Sequence, residues 1–189
     1  MKLKRILAYL IDTLFVMLIS SLIFSLPMFK DDYDEYVKLS EKTVSSLGDS
    51  DISEAELINI EYDTYKSASN LFIIKLGVAF LYFGIIQFLW NGKTIGKKIF
   101  RLRIIPMGST DLRPGLFILR SLIVNNIILD ICSVLSLICG SKGVWLIVNS
   151  LTGIISYLIS FVILFFMFYR SDGRSIHDMI CKTAVILEK

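Results

Sequence analysis

From Ile6 to Met28 the chain is almost entirely apolar, and Asp12 sits inside that run. The run is long enough to cross the hydrocarbon core of a bilayer. A carboxylate at membrane depth costs a few kcal/mol or more on any scale. A chain keeps one there because it pairs inside a bundle or because it serves a function. The run is too long for the apolar part of a cleaved leader, and Ser25-Leu26-Pro27 is a poor cleavage site. It therefore predicts an integral membrane protein whose buried polar groups hold the clue to its role.

Three more apolar runs reach spanning length, giving spans at about 6–28, 71–90, 116–139 and 144–169. The last two are joined by Gly140-Ser141-Lys142-Gly143, a turn short enough to imply an antiparallel hairpin. Mean hydropathy is +0.68, and charged residues make up 20% of the 189, against roughly a quarter in a soluble domain. The fold class expected is an all-α membrane protein. It is a single domain over residues 1–189, a four-helix transmembrane bundle with a small β-hairpin-like subdomain on its cytoplasmic side. Cys132, Cys139 and Cys181 form no disulfide or metal-binding spacing.

Charge sets the orientation. The segment 30–69 has 4 basic and 11 acidic residues. The N-terminus (Lys2, Lys4, Arg5), the loop 91–115 and the tail 170–189 are rich in Lys and Arg. The positive-inside rule then puts both termini, that loop and the tail in the cytoplasm, and the loop 30–69 outside. Trp90 and Trp145 fall at opposite interfaces, as in an aromatic belt. Within the outer loop, Ser53-Glu54-Ala55-Glu56 reads as a capping box opening a helix toward Lys66.

Three separated segments carry a resemblance. Arg5-Ile6-Leu7-Ala8-Tyr9-Leu10-Ile11-Asp12 resembles the opening R-x-x-A-x-x-x-D of RDD-family bacterial membrane proteins. Gly92-Lys93-Thr94-Ile95-Gly96-Lys97, continuing through Leu102-Arg103, is similar to that family's G-x-T-x-G-K-x-x-x-x-L-R-V. Arg174, His177, Asp178, Thr183 and Val185 match its closing R-x-x-H-D-x-x-x-x-T-x-V. Phe100 stands where the family often has Gly, and Lys182 where it usually has Gly. The resemblance implies a multi-pass protein of the bacterial plasma or inner membrane, for which transport has been proposed.

The polar groups admit two readings. Arg5 and Asp12 share a helix face but lie about 10 Å apart along its axis, too far for a direct ion pair. Asp12 therefore needs another partner, an Arg from a different helix, a hydroxyl, a proton, a cation or water, and Arg120 at the start of the third span is the best candidate. Asn126, Asp130 and Ser133 form a polar stripe on the third span, and Asn149, Gly153, Ser156 and Ser160 one on the fourth. Such residues are either helix glue or the lining of a hydrated path with Asp130 as its acid. Lys75 is expected to snorkel.

The segment Gly92–Lys98 has the wrong Gly92-to-Gly96 spacing for a phosphate loop and reads as a basic amphipathic segment at an anionic inner leaflet. Residues 100–104 alternate as a half-buried strand does, Pro106–Gly108 turns, and 183–187 is strand-like, so the two strands are expected to pair. His177, the single histidine, cannot anchor a zinc site; it and Asp178 are expected to bond to Arg101, Arg103 or Arg174. No cofactor, nucleic acid or catalytic arrangement is expected. Two functions remain: a non-catalytic accessory, regulatory or immunity-type subunit packing against a membrane partner or a second copy, or a small oligomeric transporter moving cations or protons along Asp12 and Asp130.

Overall fold

A computed structural model of the chain describes residues 1–47, 52–107 and 114–188. Asp49, Asp51, Arg113, Lys189 and the Gly108 end of the expected turn lie outside the described residues. The first span is a single helix, α1 (Lys2–Phe24). Its buried residues Ala8, Asp12, Val16 and Ser20 recur every four positions, so one stripe faces the protein and the rest is apolar surface. The second span is α4 (Ser69–Leu89), in which Leu81–Ile86 is π-helical. That π turn buries three consecutive residues, Tyr82, Phe83 and Gly84, which a regular α-helix would spread around its circumference.

The third span is not one helix. It is α6 (Pro114–Val124) and α7 (Ile127–Cys139), bent by 64° where they meet. Asn126 sits at the break with φ of 52°, a left-handed conformation that Asn tolerates better than most side chains. Each half, at about 16–20 Å, is shorter than the bilayer core. The expected straight stripe is therefore interrupted, with Asn126 at the break and Asp130 and Ser133 on α7. The fourth span, α8 (Lys142–Tyr169), is unbroken, and the turn at Gly140-Ser141 reverses the chain as expected.

The acidic segment, expected as a loop with one helix, holds two. They are α2 (Pro27–Leu47), which the sequence reading missed, and α3 (Glu54–Ser67), capped by Ser53. The Ser53 side chain accepts from the Glu56 amide at 3.3 Å. Lys66 at the end of α3 donates to the Leu137 carbonyl at 2.7 Å, and Tyr62 and Tyr65 pack on Trp145. Trp145 is thus 1% exposed, a core residue rather than part of an aromatic belt.

On the opposite, basic face lie α5 (Ile95–Ile99), β1 (Leu102–Pro106), α9 (Ile176–Ile180) and β2 (Thr183–Leu187). The strands pair antiparallel, Leu102 opposite Leu187, Ile104 opposite Val185 and Pro106 opposite Thr183, as the alternation predicts. Leu102, Ile104 and Val185 pack with Ala8 of α1 and Phe117 of α6, which fastens the sheet to the ends of the spans. A Lys93–Glu188 ion pair at 2.6 Å closes the far end of the ribbon.

Candidate functional site

The conspicuous site is a polar hub where α1, α4, α5, α6 and α9 converge beside the sheet. It has two carboxylate centres, Asp12 and Asp178, each 0% exposed.

Asp12 does not meet Arg120. Its Oδ1 accepts from the Tyr82 hydroxyl and from the Gly96 amide, both at 2.7 Å, and its Oδ2 accepts from the Thr94 hydroxyl at 2.5 Å. The Tyr82 oxygen in turn accepts from the Ile95 amide at 3.0 Å. The carboxylate therefore sits on the first turn of α5, where unpaired amides point outward. Thr94 caps that helix, and Lys97 Nζ stands 3.9 Å from Asp12 and 3.2 Å from the Thr94 hydroxyl. With the Gln87 amide oriented to satisfy both its ends, Lys97 also donates to Gln87 at 2.8 Å. Burial draws the Lys97 ammonium down to about 8, with Asp12 opposing that shift and Arg120 and Arg5 adding to it.

Asp178 is where Arg120 goes. Arg120 donates to Asp178 Oδ1 and to the Thr183 hydroxyl at 3.0 Å, and Arg5 donates to Asp178 Oδ2 at 2.5 Å and to the Gly173 carbonyl. Ser175 and Asp178 form a capping box around α9. Burial alone would raise the Asp178 carboxyl, but Arg120, His177 and Arg5 around it outweigh that and hold it well below the usual carboxylate range. His177, packed on Ser175 and Asp178, is pushed down to about 4 by burial and by Arg120. The expected partners Arg101, Arg103 and Arg174 are elsewhere. Arg174 pairs with Asp172 at 2.7 Å, and Arg103 donates to the Asn91 carbonyl. The competition was settled by depth, since Arg5 and Arg120 both project from span ends onto the returning tail.

One cavity adjoins the hub and a second lies next to the first. The first, of about 320 Å³, is lined by Arg5, Lys97, Arg120, Ser121 and His177 at its polar end. The other, of about 330 Å³, is lined by Lys75, Asp130, Ser133 and Asn149. They share Tyr9, Phe83 and Asn125 as wall residues, and Asp12 lines neither. Asn126, at the kink, keeps a buried Oδ1 with no partner among the described residues. No three His, Cys, Asp or Glu side chains group closely enough to hold a metal ion among the described residues.

A sequence model of the RDD family matches residues 2–182. The chain belongs to the RDD family. No curated protein and no solved structure matches it. The RDD-like motif residues named from the sequence now have physical roles. Gly96 lies against the Ala8 carbonyl, where a Cβ on Gly96 would overlap that oxygen, and the Ala8 side chain is buried among Leu102, Ile104, Phe117 and Val185. Gly92 adopts φ of 82° and closes on Ile104, whose amide donates to the Gly92 carbonyl at 3.1 Å. The departures are also explained. Lys182 is held at φ of 48°, the left-handed conformation for which Gly is suited. Phe100 keeps an ordinary φ and packs on the sheet core, while Arg101 after it takes the left-handed turn at 55°. Tyr82 and Gln87 were missed from the sequence because they lie in a span of no evident polar pattern.

Proposed function

We propose that this RDD-family chain is a non-catalytic accessory or regulatory subunit of a bacterial cell membrane. Both termini lie in the cytoplasm beside an anionic leaflet, and the chain packs against a membrane-protein partner or a second copy. The observation that carries this reading is that Asp12, one of the two carboxylates along which a transporter would move cations or protons, accepts from three donors and lines neither cavity. Its neighbours are committed to holding the inner segments against the spans. Such an arrangement suits a brace of the fold better than a path for ions. The long α8 is only 6% buried over its apolar stretch, which leaves a spanning surface for a partner. The test is the protein mass of the complex purified in mild detergent, by light scattering. A defined homo-oligomer or a fixed stoichiometry with one partner is expected, and a monodisperse monomer counts against it.

One observation favours a second reading, transport. Asp130 and Lys75 line the second cavity at membrane depth, and that cavity meets the first at Tyr9 and Asn125, whose side chains approach to 3.4 Å. Cation-dependent proton flux in vesicles that disappears in Asp130→Asn would establish it in place of the accessory role.

A further inference from the structure

The hub is not electrically balanced. Arg5, Lys97 and Arg120 are cationic, while the carboxylates among them are Asp12 and Asp178, and His177 is held neutral. An uncompensated charge is costly where water is scarce. All three cations line the cavity of about 320 Å³, and neither carboxylate does. Arg120 uses only one of its terminal nitrogens on Asp178 and Thr183, so its Nη2 has no partner among the described residues. Ser121, 2% exposed, lines the same cavity with a buried hydroxyl that has no partner among the described residues. A buried hydroxyl without a partner is uncommon and marks a place where a further acceptor would be accommodated.

The rest of the wall is apolar. Away from the cations it runs along Leu10, Val124, Ile163 and Leu164. Leu10 and Leu164 are 51% and 45% exposed and belong to the spanning helices α1 and α8, so the cavity reaches the surface that faces lipid. Cations at one end and an apolar, membrane-facing passage at the other describe one ligand chemistry.

We propose that this cavity binds the anionic head of a membrane amphiphile, a phosphate or carboxylate carrying an apolar chain, with Arg120, Lys97 and Ser121 around the head and Leu10 and Leu164 along the chain. The guanidinium fork suits either head group. The site is independent of whether the chain acts as an accessory subunit or as a transporter. Lys97, already drawn down by burial, is the cation best able to shed the surplus charge in an empty cavity, and a bound anion would keep it protonated.

The test is native mass spectrometry of the full chain in mild detergent, titrated separately with phosphatidylglycerol, oleate, phosphatidylcholine and inorganic phosphate. Phosphatidylglycerol or oleate is expected to give a saturable one-to-one adduct, with phosphatidylcholine about tenfold weaker, the scale of one charge-assisted contact. Ser160→Trp, on an exposed position of α8 that lines the cavity, should abolish the adduct without touching the hub. Lys97→Gln should weaken it about tenfold, again the scale of one charge-assisted contact. Thermal unfolding of each variant checks that the fold is kept. Equal binding of phosphatidylcholine, an unchanged adduct in a folded Ser160→Trp, or inorganic phosphate binding as tightly as either amphiphile would overturn the proposal.

Discussion

The amide of Gly96 donates to the Asp12 carboxylate at 2.7 Å, directly against the Ala8 carbonyl one helical turn away on α1. This contact explains why a costly carboxylate is kept in the first span. Asp12 supplies the acceptor that a short helix folding back under the bundle needs at its first turn, and Gly96 allows the two backbones to approach.

Gly96→Ala should therefore be far more damaging than its size suggests. The added methyl overlaps a backbone oxygen, which cannot swing aside as a side chain would. A loss of about 2–4 kcal/mol is expected, at or above the usual range for overpacking. Gly77→Ala, where a Cβ meets nothing within 4 Å, is the control. Unfolding midpoints of the two variants in the same detergent give the comparison. Equal midpoints would mean that the α1–α5 approach is not as close as described.

Replacing Asp12 separates charge from hydrogen bonding. Asp12→Ala strands the hydroxyls of Tyr82 and Thr94 and the Gly96 amide and should cost about 3–5 kcal/mol, whereas Asp12→Asn keeps an acceptor and should cost roughly half as much. Denaturant titrations measure both. A harmless Asp12→Ala would show that these donors find other partners.

His177 should make the fold sensitive to mild acid. Its folded-state value of about 4 lies below the ordinary 6.5. As pH falls between those values the unfolded chain takes up a proton that the folded chain refuses, so stability falls. The loss fades out as pH rises above 6.5. Between pH 7 and pH 5 the expected loss is about 2 kcal/mol. His177→Gln should flatten that slope, and melting curves across this window will show whether it does.

Lys182→Gly should stabilise the protein. Lys182 is held at φ of 48°, and the Met107 amide donates to its carbonyl at 2.8 Å in a way that glycine preserves. Relief of the left-handed strain should be worth about 0.5–1 kcal/mol after the greater freedom of an unfolded glycine is deducted. A lower midpoint in Lys182→Gly would mean that the turn tolerates lysine without strain.

What could be read from the sequence follows a physical division. The strand pairing was legible because alternation at Phe100–Ile104 and at 183–187 has a period of two, and the structure joins those segments in register. Continuous helices α1, α4 and α8 were legible from apolar length. The break at Asn126 was not, since one left-handed asparagine leaves the hydropathy of the span unchanged. Of the partners expected for Asp12, a hydroxyl is present in Tyr82 and Thr94, whereas Arg120 is not, for a different reason. The donors to Asp12 include a backbone amide and a tyrosine from an apolar span, and neither leaves a mark in a pattern of charges. Arg120 was placed at a suitable depth, but nothing in the sequence indicated that Asp178 would return beneath it.

Asp178 clamps the start of α1 to the tail through Arg5, so that the buried charges hold the fold together. A double-mutant cycle of Arg5→Gln and Asp178→Asn, read by equilibrium unfolding in detergent, tests this directly. A coupling energy of about 2 kcal/mol or more is expected for a buried pair whose partners are 8% and 0% exposed. Losses that add to within about 0.5 kcal/mol would show that the two side chains act independently, and the clamp would then be contradicted.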